Sequence, residues 1–202
     1  MSTERGKRTV AIVGGAGAVG SSTAFALMDS AVVGEIILVD IDDERAAGEA
    51  MDLDHGAYFT SSVRVRTGEY EDCWDADVVV ITAGASQNPG ETRLELMERN
   101  AGIFAEMVPE ITAGLNDDAV VLVVTNPVDV LAHVTWAVSD LPAERVVGSG
   151  TVLDTSRFRH ALSREFDLDP ANVHAYVIGE HGDSEVLVWD SVNLGGIPLA
   201  SY

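Results

Sequence analysis

The run Gly14-Gly15-Ala16-Gly17-Ala18-Val19-Gly20 follows an apolar, strand-like stretch, Val10 to Val13, and opens a helix pattern of small residues. Within it Gly15, Gly17 and Gly20 form G-x-G-x-x-G, the spacing of a turn that cradles a pyrophosphate. Gly15 permits the tight turn, Gly17 lets phosphate approach the backbone, and Gly20 lets helix pack on strand, with Ala18 and Val19 at the helix start. The free N–H groups of that helix end complete an anion site. A second apolar run ends in Asp40, 20 residues beyond Gly20. A carboxylate there accepts hydrogen bonds from ribose hydroxyls and repels a 2′-phosphate, so the unit is expected to bind NAD rather than NADP. Taken alone, Asp40 also reads as a strand-end turn residue.

Four further stretches carry polar groups where an apolar run ends or a helix begins. They are Thr82-Ala83-Gly84-Ala85-Ser86-Gln87-Asn88-Pro89-Gly90-Glu91-Thr92-Arg93, Thr125-Asn126-Pro127-Val128-Asp129, Gly150 to Arg157, and Ile178-Gly179-Glu180-His181-Gly182-Asp183. In open α/β sheets such ends are where ligands collect.

The elements that must position these groups alternate between short β-rich runs and helical stretches. Strands are expected at Val10–Val13, Ile36–Val39, Val63–Arg66, Val78–Thr82, Val120–Val124 and Arg145–Val147. Helices are expected at Gly17–Met28, Asp43–Ala57, Thr92–Leu115 with a break near Pro109, Val128–Val138, and Asp154–Phe166. This alternation predicts an α/β fold, a Rossmann-type doubly wound parallel sheet with helices on both faces. After Asn172 the pattern turns to strand-like pieces, so residues 1–149 form the dinucleotide-binding domain and 150–202 begin an α+β substrate domain.

The chain has 202 residues, with 33 acidic against 12 basic, a formal charge of −21, and Lys7 is the one lysine. With 47% hydrophobic residues it is globular despite that charge. So acidic a surface repels phosphate, which excludes nucleic acids and anionic membranes as partners. Self-repulsion of this size, with lysine scarce, predicts a salt-rich cytoplasm, where molar salt shortens the Debye length to about 3 Å. The alternative is an ordinary acidic protein, which the lysine shortage fits poorly. The single cysteine, Cys73, excludes an intrachain disulfide and a cysteine-rich metal site, and no metal is expected. The opening MSTERGKRTV lacks the apolar stretch of a signal peptide, and no apolar run nears the ~18 residues of a membrane helix. A soluble, cytoplasmic protein is expected.

Together the glycine turn, the four polar stretches, Met51-Asp52-Leu53-Asp54-His55-Gly56 and Ala76 to Gly84 resemble the L-lactate/L-malate dehydrogenase family from about residue 8 to the C-terminus. The resemblance implies NAD-dependent interconversion of a 2-hydroxy acid and a 2-oxo acid. It implies that His181 exchanges a proton with the substrate oxygen and that Asp154 holds the imidazole tautomer and stabilises imidazolium. Arg157, nearly one helical turn from Asp154, would bind the substrate carboxylate with its planar fork. Arg93 would polarise the carbonyl from a loop that folds over the substrate, Asn126 would orient substrate and nicotinamide, and Thr82, Ala83 and Gly84 would line the cofactor site. Singly, each of these residues has a plainer reading: a turn histidine, a helix-start carboxylate, a solvated arginine, a turn asparagine.

Gln87 occupies the position of the family's substrate selector, which is glutamine in lactate-type and arginine in malate-type members. Closing the loop over a dicarboxylate would leave a buried charge facing a neutral amide, at a cost of roughly 3–5 kcal/mol. Pyruvate/L-lactate is therefore favoured, with malate/oxaloacetate the alternative. His174-Ala175-Tyr176 and Arg157-Phe158-Arg159 resemble the bacterial lactate dehydrogenases, in which such Arg and His residues bind fructose 1,6-bisphosphate at a subunit interface. Arg159 and His174 are the candidates here, their plain readings being a helix-surface arginine and a strand-end histidine. The family also implies a homodimer or homotetramer and a longer protein. The 202 residues are thus expected to be a fragment, or else a truncated, inactive NAD-binding module.

Overall fold

The computed structural model describes residues 8–202; the charged opening residues 1–7, Lys7 among them, lie outside the described residues. The chain parts into two compact units between Gly148 and Ser149.

The first unit is built from β1 (Arg8–Val13), α1 (Ala18–Ser30), β2 (Val33–Val39), α2 (Asp43–Gly56), β3 (Arg64–Thr67), β4 (Val78–Ile81), α3 (Arg93–Thr112), β5 (Val120–Val123), α4 (Val128–Val138) and β6 (Val146–Gly148). The strands form one sheet in the order β3-β2-β1-β4-β5-β6, and every neighbouring pair is parallel. That is the expected doubly wound sheet, with its strand order reversing between β1 and β4. Consecutive apolar residues serve both faces: Val10, Ile12, Ile36 and Leu38 join Ala24, Met28 and Ala50, whereas Ala11, Val13, Ile37 and Val39 join Phe104, Met107, Val108 and Leu131. A strand buried on both sides therefore reads as an unbroken apolar run.

Two local expectations are corrected. Helix α3 runs through Pro109 without a break. The ring removes one backbone donor, but Val108, Ile111 and Thr112 on either side are buried and hold the last turns on the sheet. Arg145 is not in β6; it ends the 3₁₀ turn Ala143–Arg145, and its guanidinium donates to the carbonyls of Ala119 (2.7 Å) and Asn116 (2.5 Å). At the glycine turn Gly14 takes a left-handed conformation (φ +83°), and a Cβ on Gly15 would lie 2.9 Å from Leu38 Cβ, so the tight turn needs glycine at both positions.

The second unit has one long helix, α5 (Val152–Glu165), and the short strands β7 (Val173–His174), β8 (Val177–Ile178), β9 (Val186–Leu187), β10 (Asn193–Leu194) and β11 (Ile197–Pro198). They pair antiparallel as β11-β10-β7 and β8-β9. Phe158 and Leu162 of α5 pack with Val173, Ala175, Val177, Val192 and Leu194. Among the described residues no helix is long and apolar enough to cross a membrane.

Candidate active site

The candidate residues fall into two groups, one within each unit. In the first unit, β1 ends in a turn fixed from both sides: Gly14 N–H and Gly15 N–H donate to Val39 O, and Thr82 N–H and Ala83 N–H donate to Val13 O. The parallel pairing of β1 with β2 and with β4 so places the glycine turn, Asp40 and Thr82 at the carboxyl edge of the sheet, at its reversal point. A Cβ on Gly14 would lie 2.5 Å from Ala83 N, and one on Gly20 would lie 2.3 Å from Gly14 O, so the turn accepts no side chain at either position. Asp40 Oδ2 accepts from Ala16 N–H (3.0 Å) and Oδ1 from Asp42 N–H (3.1 Å), so this carboxylate also braces the turn.

A cleft of about 420 Å³ opens there, lined among others by Gly14, Gly17, Asp40, Thr82, Ala83 and Gly84. A smaller one, about 280 Å³, is lined by Val19, Thr82, Gly84, Asn100, Thr125 and Asn126. This cleft, with the glycine turn and Asp40 in its lining, is where the first unit could hold NAD. Of the expected cofactor residues, Gly15 and Gly20 sit beneath the turn rather than in the lining, and Ala18 is exposed at the start of α1. Hydroxyls tie the strand ends together: Thr82 Oγ1 donates to Val13 O and Gly14 O, and Thr125 Oγ1 donates to Ala83 O at 2.7 Å.

The sequence reading missed several residues of these clefts, including Arg45, Tyr70 and Ser86. It also missed Asn100, 1% exposed, whose Oδ1 accepts from Ala85 N–H (2.8 Å) and whose Nδ2 donates to Asn126 O (3.5 Å). The signal was present: Asn100 heads the buried face of α3 that continues with Phe104, Met107, Val108 and Ile111. A polar residue on such a stripe needs an internal partner. The exposed Gln87 and Arg93 lie in the segment between β4 and α3, with Arg93 the first residue of α3. Gln87 Nε2 donates to Glu91 O at 2.7 Å. Asn126 is exposed and precedes Pro127 through a cis peptide bond.

In the second unit, His181 sits on the turn joining β8 to β9. Its Nδ1 is 2.6 Å from Asp154 Oδ2, while Arg157 Nη1 donates to Asp154 Oδ1 at 3.0 Å. Thr151, which caps the start of α5, and Thr155 within it set this geometry: Thr151 Oγ1 donates to Val177 O (2.7 Å) and Thr155 Oγ1 accepts from Val177 N–H (3.0 Å). They pin the start of α5 to β8, and Asp154, between them in sequence, meets the turn that β8 leads into. Burial pushes the Asp154 carboxyl up, but the hydrogen bonds and charges of His181 and Arg157 outweigh it and hold the group below its usual range. An ionised carboxylate only accepts, so Nδ1 carries the proton. Glu185 brings a second carboxylate within 4.8 Å of this pair.

Arg159 Nε donates to Ala175 O (2.9 Å), and its guanidinium lies 5.1 Å from the Tyr176 ring centre. His174 is exposed on β7. Burial pushes the Cys73 thiol up to about 12, so it stays protonated and inert.

Residues 8–148 match the lactate/malate dehydrogenase NAD binding domain, and residues 151–202 match the alpha/beta C-terminal domain of the same family. L-lactate dehydrogenase 1 of Clostridium acetobutylicum is 52% identical over 97% of this chain and 62% of its own length. The L-lactate dehydrogenase of Acetivibrio thermocellus is 50% identical over 100% of the chain and 63% of its own. Among solved structures, the ligand-bound minor L-lactate dehydrogenase of Enterococcus mundtii matches with a TM-score of 0.91 at 45% identity, covering 97% of this chain and 62% of that one. A lactate dehydrogenase from a Medee basin deep-sea metagenome library gives 0.89 at 48% identity, covering 96% and 62%. The chain thus spans under two thirds of the length of these relatives. With a cleft at the glycine turn in one unit, a His–Asp–Arg constellation in the other, and both domain matches in order, the chain belongs to the lactate/malate dehydrogenase family.

Proposed function

We propose that the protein carrying this chain interconverts L-lactate and pyruvate. The observation that carries this reading is the His181–Asp154–Arg157 constellation, with its 2.6 Å and 3.0 Å contacts. Neutral Gln87 in the β4–α3 segment supports the monocarboxylate over oxaloacetate, and the relatives named L-lactate dehydrogenase agree with it. NAD, held by the glycine turn and Asp40, supplies or takes up hydride when bound. With Nδ1 committed to Asp154, Nε2 of His181 is the nitrogen that moves a proton to or from the substrate oxygen. Asp154 keeps that tautomer and offsets the positive charge of the protonated ring. Arg157, 65% exposed, offers the rest of its fork to the substrate carboxylate. Arg93 polarises the carbonyl, and Asn126 orients substrate and nicotinamide. NADH-dependent reduction of pyruvate and oxaloacetate, compared in high salt, tests the assignment: equal or better efficiency on oxaloacetate overturns it.

The same reading extends to setting and assembly. A charge of −21 with one lysine suits a salt-rich cytoplasm. Closed homodimers or homotetramers are the natural assembly. Arg159, braced on the residues that follow His174, supports an effector site for fructose 1,6-bisphosphate at a subunit contact, one that molar salt would weaken. Activation of pyruvate reduction by that bisphosphate, lost in Arg159→Ala, is the expected result.

A further inference from the structure

We propose that Glu91 and Arg99 form a clasp that sets the substrate-selecting residue Gln87, making both of them positioning residues for substrate discrimination; this rests on reading 86–93 as the substrate loop. Glu91 is the hub of that loop. Its side chain is only 11% exposed although residues 86–90 are all exposed. Oε1 accepts from Arg99 Nε (3.0 Å), and Oε2 accepts from Arg99 Nη2 (2.8 Å) and from Asn88 N–H (2.7 Å). Arg99 Nη2 also donates to Ser86 O at 2.8 Å. The loop is thus closed into a ring by a two-pronged charge-assisted contact to α3, and the Gln87 amide is docked on the carbonyl of the residue so anchored.

Helix initiation does not account for the pair. The start of α3 is capped independently by Thr92 and Glu95, whose side chains each accept from the other's backbone N–H. What the pair adds is a fixed position for the Glu91 carbonyl, and hence for Gln87, beyond the turn at Pro89-Gly90 that Glu91 N–H closes on Asn88 O (3.1 Å). It also cancels charge. Arg99 is neutralised by Glu91, so it adds no free charge beside Arg93 for a second substrate carboxylate.

The two partners therefore have opposite electrostatic effects when removed. Glu91→Gln leaves the Arg99 charge uncompensated under the loop and favours a dicarboxylate, whereas Arg99→Met leaves the Glu91 charge and disfavours one. Steady-state reduction of pyruvate and oxaloacetate by NADH is measured for the wild type, both single variants and the reversed pair Glu91→Arg/Arg99→Glu. In each single variant kcat/KM for pyruvate falls roughly tenfold to hundredfold through loop misplacement, with NADH affinity within about twofold. The oxaloacetate-to-pyruvate ratio rises about fivefold or more in Glu91→Gln and falls in Arg99→Met, and the reversed pair recovers part of the pyruvate efficiency. Proteolysis of the 86–93 loop reads its ordering without turnover and accelerates about fivefold or more in both single variants. Single variants that match the wild type, or that shift the ratio the same way, overturn the clasp. A wild type that reduces neither acid while proteolysis still responds overturns the loop's assignment to substrate instead.

Discussion

Replacing Asp154 with Asn tests the proton machinery with little change of shape. The carboxylate lies 2.6 Å from His181 Nδ1 and its side chain is 9% exposed, so the charge acts through little water. At an effective dielectric constant of about 20, a full charge at that separation interacts with imidazolium by about 6 kcal/mol, an upper bound. A charge-assisted hydrogen bond measured by removal contributes about 1.5–3 kcal/mol, a lower one. Only stabilisation that grows as the ring gains or loses its proton enters the barrier, so kcat/KM for pyruvate should fall roughly 10²- to 10⁴-fold. The amide can also present its NH₂ to Nδ1 and favour the wrong tautomer, which moves the loss toward the upper end. The assay is steady-state reduction of pyruvate in high salt, beside NADH binding followed by fluorescence. NADH affinity should not change, because the cofactor cleft is formed within the other unit. Activity within about fivefold of wild type would refute the reasoning and reduce Asp154 to a helix-start carboxylate.

Gln87→Arg should move preference toward oxaloacetate by roughly 10²-fold or more, since it pairs a charge whose burial otherwise costs about 3–5 kcal/mol; no shift in the ratio of efficiencies would show that this loop is not the selector. Gly20→Ala should weaken NADH binding at least about tenfold and lower the melting temperature, because its Cβ would stand 2.3 Å from Gly14 O; Gly102→Ala, in α3 with open space around it, should instead gain up to about 1 kcal/mol. The melting temperature should rise from dilute buffer to several molar potassium chloride, and an unchanged value would sink the salt-adaptation reading. Stability should be lost on acidification: contacts hold Asp72 (Glu69 N–H, then Arg66) and Glu91 (Arg99, then Asn88 N–H) below their usual pKa, as they do Asp154 against its burial. Because these folded-state values lie below the unfolded ones, their stabilisation is complete above the ordinary carboxylate range, near pH 4, and disappears as pH falls through the folded values; melting curves between pH 6 and pH 3, on the order of those limits, check it.

The parallel sheet was legible because strands buried on both faces are uninterrupted apolar runs, and Ile36–Val39 or Val78–Ile81 permit little else. Legibility failed where a tertiary partner decided the outcome. Pro109 reads as a breaker, yet buried neighbours carry α3 past it. Gly14 precedes the motif that names the turn, and its left-handed φ follows from the approach of Ala83, 69 residues away in sequence. At the site, His181, Asp154 and Arg157 could be singled out by chemical type and order. Thr151 and Thr155, which pin α5 to β8, look like ordinary helix residues until the strand is in place. The α3 stripe marks Asn100 as a buried polar residue, but its partners do not follow from any spacing, because bonding both Ala85 and Asn126 is a fact about two strand ends.

The division of the chain separates the chemistry into parts that can fail independently. The glycine turn, Asp40, Gln87 and Asn126 take their geometry from hydrogen bonds inside the first unit, and the His–Asp–Arg group takes its geometry from bonds inside the second. A substitution at Gly20 should therefore change NADH affinity while leaving the His181–Asp154 contact intact, and Asp154→Asn should do the reverse. The charge of the chain sharpens the point. On the proposed function an anionic cofactor and an anionic substrate approach a surface of −21, and each unit would supply its own local compensation: backbone N–H groups at the glycine turn in one, the exposed Arg157 in the other. Salt screens the long-range repulsion at both, but it also weakens an exposed guanidinium far more than a desolvated backbone cradle. Raising salt should accordingly increase KM for pyruvate more steeply than Kd for NADH; equal dependence of the two would mean that long-range charge, not the local groups, controls binding.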